Sequence, residues 1–496
     1  MKFKLIFVQF IFLILELNNA EESFYCSFDT RLVDGDKFLS YLRNHGYGCV
    51  LFDKKHGEDS ENEELFKHLQ DESDFEVKYI TSTGENSINP VIDSSICQKF
   101  ENLEFIDIQS SSITKINSDS LSGCKILEIL NLGENEISSI PDKLFDRNLR
   151  LSHVNLAQNN LTTLPENLFA NNHELEELNI NNNEINDLPP NIFKSCSKLK
   201  YLKINNNKIE NLNPNWFESL KNLEILFSNN NKISEINSKV FNELTGLKSL
   251  YLNGNGIKTL SPEGFLGLKA LSRLYLQENE ITYLPENIFQ DLENLVDLNL
   301  SSNKIGFIST DSFGNHSELW KLNLQSNDIK ILDPNSFKSM QSLVELNLAA
   351  NQILELPENV FENLRNLMSL YLGNNKLETL TVGCFKGLRS LTTLSLGYNN
   401  LIDLPESIFT PLSNLEFLHL DQNNLTTIHS DSFGYTAKLQ RIYLKSNLVN
   451  AVDEKILRLA PKATLVVDVA PCVNYYVANI RQRLSKCFKN YKPRTV

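Results

Sequence analysis

Apolar residues recur along most of this chain with a single period. Steps of 24 from Leu103 reach Leu127, Leu151, Leu175, Leu199, Leu223, Leu247, Leu271, Leu295, Leu319, Leu343, Leu367, Leu391, Leu415 and Leu439, and every position reached is Leu. Residues 103–462 are therefore 15 consecutive units without insertion or deletion, each reading LxxLxLxxNxIxxLxxxxFxxLxx. Positions 4 and 6 are apolar, and positions 3, 5 and 7 are largely polar. This alternation predicts a short strand with one buried face. Each strand pairs with that of the next unit, giving a parallel sheet. One unit is too small to bury its own core, so the units must stack and the ends must be sealed.

Two columns follow from the period. Position 9 is Asn in 14 of 15 units, from Asn135 to Asn447, with Ser111 the exception. Where the chain turns inward off the strand, buried backbone groups lack ladder partners. An Asn amide supplies both a donor and an acceptor for them. Position 19 is Phe in 13 units, from Phe145 to Phe433, with Leu121 and Leu457 at the ends. This column reads as core, not as an aromatic binding strip.

The unit resembles the extracellular, 24-residue form of the leucine-rich repeat family. The resemblance implies an α/β solenoid: a curved leucine-rich-repeat horseshoe with a concave parallel β-sheet and an irregular or 3-10 convex side. It also implies a surface that presents a binding face. The clustered CxC and NPWxCxC cap motifs of Toll-type and Slit-type receptors are missing. A Cys-Ser-Phe … Tyr-Gly-Cys opening ahead of long regular repeats is similar to secreted insect leucine-rich proteins, some of which act in immunity.

The ends are organised differently. Lys2 and Lys4 precede an apolar run, Leu5 to Leu15, and Asn18-Asn19-Ala20 follows. That order reads as a secretory signal over residues 1–20, too short to span a bilayer. Residues 21–78 are expected to form an N-terminal cap, with Cys26 and Cys49 bridging two short strands. The acidic stretch from Glu58 to Glu76 reads as a solvated loop. Residues 79–102 read as a degenerate repeat with Ile92 in the apolar phase. Cys97 falls at the Phe position, and it either pairs with Cys124 of the next unit or stays a buried thiol. Residues 463–496 are expected to form a C-terminal cap, with Thr464–Val469 as a last strand. An apolar stripe from Val473 to Leu484 then predicts a helix. A continuous helix would hold Cys472 and Cys487 ~22 Å apart. They pair only if the helix is short and the chain folds back. Cys196 and Cys384 are eight units apart and read as buried apolar fillers.

The net charge of −15 argues against nucleic acid and against anionic membranes as partners. No HExxH, GxSxG, Walker or CxxC motif occurs, and no two of the eight His sit at metal-ligand spacing on one element. No enzyme activity, cofactor or metal is expected. The chain is expected to be secreted and extracellular, with no membrane insertion.

Positions 2, 3, 5, 7 and 8 of each unit are expected to face the concave side. In repeats 1–4 these include Glu104, Asp107, Glu128, Glu134, Glu176 and Glu177, with no Lys or Arg. In repeats 5–8, position 5 runs Lys203, Phe227, Tyr251, Tyr275, while Tyr201 and Arg273 occupy position 3. Adjacent rings with an Arg have the composition of an interface hot spot. These six residues form the candidate ligand site. Trp320, Tyr371, Tyr398, Phe417, His419, Arg441 and Tyr443 form a second, less contiguous scatter. Ser228 stands at position 6 where the other units have Leu or Ile, and predicts a local irregularity. Asn160, Asn299, Asn315 and Asn424 head N-x-S/T sequons. A glycan at Asn299 would stand on the concave face and bound the patch at repeats 5–8.

The expected function is secreted, non-enzymatic recognition of an extracellular protein or glycan, in innate defence or signalling. The alternatives are a matrix or adhesion component that self-assembles as a homo-oligomer, or a non-catalytic carrier subunit of a secreted enzyme.

Overall fold

A computed structural model describes residues 102–459 except 315 and 435, together with 12–15, 24–27, 47–53, 77–82, 94–100, 464–466 and 480–494. The chain forms two compact units, Met1–Lys232 and Ile233–Val496. Each is a parallel solenoid with little helix.

In the first unit, strands Phe105–Asp107, Ile129–Asn131, His153–Asn155, Glu177–Asn179, Tyr201–Lys203 and Ile225–Phe227 pair in parallel, each with the next. In the second, the same ladder runs through Ser249–Tyr251, Arg273–Tyr275, Asp297–Asn299, Lys321–Asn323, Glu345–Asn347, Ser369–Tyr371, Thr393–Ser395, Phe417–His419, Arg441–Tyr443 and Thr464–Val466. Position 4 is the buried centre of each strand, as with Leu202, Leu274 and Leu394 at 0% exposure. Opposite this ladder the backbone is mostly turns. Short 3-10 segments lie at Pro214–Trp216 and Ser430–Ser432. Small parallel pairs form, such as Phe307–Ile308 with Ile331–Leu332.

The position-9 amides close their turns by a recurring pattern. Asn279 Oδ1 accepts from the Ile257 N–H at 3.1 Å, and its Nδ2 donates to the carbonyls of Leu252 and Leu276 at 3.0 Å each. Asn303 repeats the pattern one unit on. Ser111, the exception, has its own N–H held by Asn135 Oδ1 at 3.0 Å. The residue before each of these takes a left-handed backbone, with φ positive from Ser110 (52°) through Gly254 (64°) to Ser446 (55°). For a residue with a Cβ this costs about 1–2 kcal/mol. The adjoining amide bonds hold the strained turn in place. Rings of the Phe column stack within each unit: Phe145 on Phe169 at 5.7 Å, and Phe265 on Phe289 at 5.9 Å.

The N-terminal end departs from the 24-residue phase. Strand Val77–Ser82 pairs in parallel with Phe105–Asp107, and Ile80 rather than Ser82 stands opposite Ile106. Ile80 is buried. An apolar residue is needed at that point of the core, so this strand enters two residues earlier than the phase places it. Tyr47–Asp53 pairs with it in parallel, and Phe24–Ser27 adds antiparallel to Tyr47–Asp53. Phe12–Leu15, inside the expected leader, is a strand antiparallel to Phe24–Ser27. The Cys26 and Cys49 side chains lie outside the described residues, as does the acidic stretch Glu58–Glu76.

Cys97, on the helix Ser94–Lys99, is bonded to Cys124 with Cα atoms 4.8 Å apart. Gly123 permits this approach, since a Cβ there would lie 2.9 Å from that of Cys97. Cys196 and Cys384 are buried free thiols, and burial pushes both up to about 12. At the C-terminus the described helix is broken into Ile480–Arg483 and Ser485–Asn490. Cys487 is disulfide-bonded, while Cys472 lies outside the described residues. The tail beyond folds back against repeats of its own unit. Arg494 lies 3.6 Å from Asp403 and 3.4 Å from Asp431, and the Tyr491 hydroxyl is 3.3 Å from His429 Nδ1.

Replacing Asn279 by Leu leaves buried backbone groups unpaired and is expected to cost about 1–3 kcal/mol. The denaturant midpoint measures it, and an unchanged midpoint would mean that the column is not structural. Cys97→Ala with Cys124→Ala opens a loop of sequence separation 27. Its expected cost is about 3 kcal/mol. A double variant as stable as the parent would show that this bridge does not seal the N-terminal end.

Candidate functional site

The two units divide the six candidate residues. In the first, Tyr201 and Lys203 flank the buried Leu202, and Lys203 stands opposite Phe227. All three are half-buried on the strand face. Lys203 Nζ lies 2.6 Å from Glu177, and Lys200 lies 2.7 Å from Glu176. The sequence suggests a bare acidic end over repeats 1–4. The structure corrects this, because cations from repeat 5 reach back one unit and partly neutralise it. Asp107 does stand in that face, and burial raises its carboxyl to about 6. Ser228 is fully buried, and the strand Ile225–Phe227 keeps its regular register with Tyr201–Lys203.

In the second unit, Ser249 stands opposite Arg273 and Tyr251 opposite Tyr275. The two tyrosine rings stack with centroids 4.8 Å apart and planes at 25°. The Tyr275 hydroxyl donates to Asp297 Oδ2 at 3.0 Å. Burial, reinforced by that carboxylate, pushes the phenol up to about 12, so it stays a donor. Arg273 is exposed, with Nη1 3.4 Å from Ser249 Oγ. Tyr251, Arg273 and Tyr275 thus form one feature, a stacked pair beside a cation. Asn299 is next in the tyrosine column. Its Oδ1 accepts from the Ser301 N–H at 3.0 Å and the Ser301 hydroxyl at 2.8 Å. Asn160 and Asn424 are exposed, and Asn315 lies outside the described residues.

The second scatter is tighter than its sequence suggests. Phe417 stands opposite Arg441, and His419 opposite Tyr443. The His419 and Tyr443 rings stack at 4.2 Å with planes only 6° apart. Arg441 Nη1 donates to the Tyr443 hydroxyl at 3.3 Å. The signal was present in the sequence, since His419 and Tyr443 share position 5 and are 24 residues apart. Trp320 is 56% exposed and Tyr398 59% exposed, at other positions of their units.

Among the described residues, no group of three His, Cys, Asp or Glu side chains is placed to hold a metal ion. Among the same residues, no helix is long and apolar enough to cross a membrane.

Comparison with known proteins fits this geometry. The family described as Leucine rich repeat matches at residues 228–281, 271–329, 293–353, 341–401 and 389–449. The BspA type Leucine rich repeat region matches at residues 91–224. Among solved structures, a leucine-rich repeat protein of Leptospira interrogans is 30% identical with a TM-score of 0.65, and the match covers 81% of this chain and 98% of that one. The TLR13–ssRNA13 complex is 25% identical with a TM-score of 0.63, covering 76% of this chain and 62% of that one. The Toll–Spatzle complex, described as a hub in Drosophila development and innate immunity, is 19% identical with a TM-score of 0.60, covering 76% of this chain and 51% of that one. The chain therefore spans less than two thirds of those last two proteins. A search of curated protein sequences finds no match. The repeat period, the parallel ladder and the similarity to the Leptospira protein agree: the chain belongs to the leucine-rich repeat family.

Proposed function

We propose that this is a secreted, non-enzymatic binding protein that recognises an extracellular protein or glycan on the face of its parallel sheet. The stacked Tyr251–Tyr275 pair beside the exposed Arg273 carries this reading. Rings held rigidly by their neighbours offer large contact area at little entropic cost, and Arg and Tyr dominate interface energetics. In the first unit, Tyr201, Lys203 and Phe227 have the same composition and are proposed as ligand contacts there. Leucine-rich repeat proteins are generally binding scaffolds, and the neighbours include complexes named for an RNA and for a protein partner. The net charge of −15 favours a protein or glycan over RNA for this chain. Innate defence or extracellular signalling is the proposed setting. The N-terminal apolar run and the sequons at Asn160, Asn299, Asn315 and Asn424 support secretion.

Self-association in a matrix is the second reading, and one observation favours it. Val296, Trp320 and Met368 occupy position 2 of repeats 9, 10 and 12 and are 38%, 56% and 50% exposed. They make an apolar edge beside the sheet.

Changing Tyr251 and Tyr275 together to Ala tests the first reading. Neither ring is core, so stability should fall by only about 1–2 kcal/mol, from the lost stack and hydroxyl bond. A ligand captured on the parent from the producing organism's extracellular fluid should bind the variant at least tenfold more weakly, the scale of a single hot spot. Equal binding would move the site away from these tyrosines.

A further inference from the structure

The position-5 column of the second unit continues past the tyrosine pair. Near its end it reads Tyr371, Ser395, His419, Tyr443, each directly opposite the next on adjacent strands. His419 and Tyr443 stand face to face along the stacking direction. One face of the imidazole is therefore covered by Tyr443. Its other face is turned toward Ser395, where the column has no ring. Tyr371 follows on the far side of the serine, two strand spacings from His419, or about 10 Å of backbone. One rung of an aromatic ladder is missing. That spacing leaves room for one flat group stacked on the uncovered face of His419 at about 3.5–4 Å.

The gap carries a charge. Asp421 Oδ1 lies 3.8 Å from His419 Nδ1, and a Cβ at Gly397 would lie 3.0 Å from Asp421 Oδ2. The carboxylate leans back over the glycine of the serine's own repeat, beside the uncovered face of His419. Burial lowers the imidazole's pKa, against the opposing pull of Asp421, and so disfavours the imidazolium that would cancel that carboxylate. Arg441 is directed instead to the Tyr443 hydroxyl, on the covered side of the stack.

We propose that the gap above Ser395 is a socket for the guanidinium of an arginine side chain carried by a protein or peptide partner. The group required is flat, cationic and able to donate in its own plane. Guanidinium stacks on aromatic faces and offers a carboxylate a fork of N–H donors. An ammonium has the charge without the plane. A neutral ring fills the gap and leaves Asp421 unanswered, and an anion meets the repulsion of an acidic protein. The socket is separate from the Tyr251–Tyr275 site and does not rest on it.

Blocked Gly-Arg-Gly tripeptide, titrated into the full chain and followed by calorimetry or by the His419 imidazole resonances, tests the socket. Blocked Gly-Lys-Gly and Gly-citrulline-Gly are the comparators. The arginine peptide should saturate and bind at least tenfold more tightly than either. Ser395→Tyr should abolish this preference by supplying the missing ring. It should still fold, because tyrosine already occupies position 5 at Tyr251, Tyr275, Tyr371 and Tyr443. Asp421→Asn keeps the shape and should weaken the arginine peptide at least tenfold. Three results would overturn the proposal: equal affinity for arginine and lysine peptides, arginine binding unchanged in both variants, or no saturable binding of the arginine peptide.

Discussion

Each repeat depends on a single amide. The chain must leave the strand, turn inward and run back, and the turn exposes buried N–H and C=O groups to the core. The position-9 Asn answers them from both ends of its side chain, and one of its carbonyl partners belongs to the preceding unit, as Asn279 shows with Leu252. The same bonds hold the left-handed residue just before it. The amide therefore does three things together. It satisfies buried backbone, fixes a strained turn, and ties neighbouring repeats. The Phe column fills the opposite side, but apolar packing has no direction and could not set the 24-residue register alone.

That register decides where function can sit. Positions 1, 4, 6, 9, 11, 14 and 19 serve the interior in nearly every unit. Positions 3, 5, 7 and 8 remain free to vary, and equal positions in successive units stand side by side. Two rings 24 residues apart at position 5 can therefore meet, as Tyr251 with Tyr275 and His419 with Tyr443 do. Charges obey the same rule. Lys198, Lys200, Lys208, Lys304 and Lys386 each pair with the Glu 24 residues earlier. These exposed pairs contribute little stability each, but they set which charges the surface shows, and they explain why the acidic first repeats are less acidic than they read.

The solenoid, its strand positions and the Asn and Phe columns were legible because they repeat. Fifteen copies average away the noise of any one unit. The ends were less legible for the same reason. Residues 77–82 follow burial rather than phase, and nothing in the 24-residue pattern says that Ile80 outranks Ser82 as the partner of Ile106. The left-handed turn at position 8 was hidden because its residues are Ser, Glu, Gln, Asn, Gly, Ala and Tyr, with glycine only at Gly254. The neighbouring amides enforce the conformation, so the residue itself need not prefer it. For the candidate site, the Tyr251–Tyr275 column could be read from position alone. The reach of Lys203 back to Glu177 and the tilt of Asp421 over Gly397 could not, because side-chain direction has no period.

A solenoid without insertions cannot build a site from loops. Many binding proteins place their variable residues on excursions from a rigid scaffold, but here residues 103–462 contain no excursion to use. Relief on the face must come from side-chain size, one unit against the next. A small residue is then as informative as a large one. Ser395 between Tyr371 and His419 makes a hollow only because its neighbours are rings, and Gly397 leaves room for the carboxylate of Asp421 only because it has no Cβ. In such a fold, recognition is written down a column rather than along the chain. Three consecutive letters of position 5 say more about what can dock than any contiguous segment of the same length.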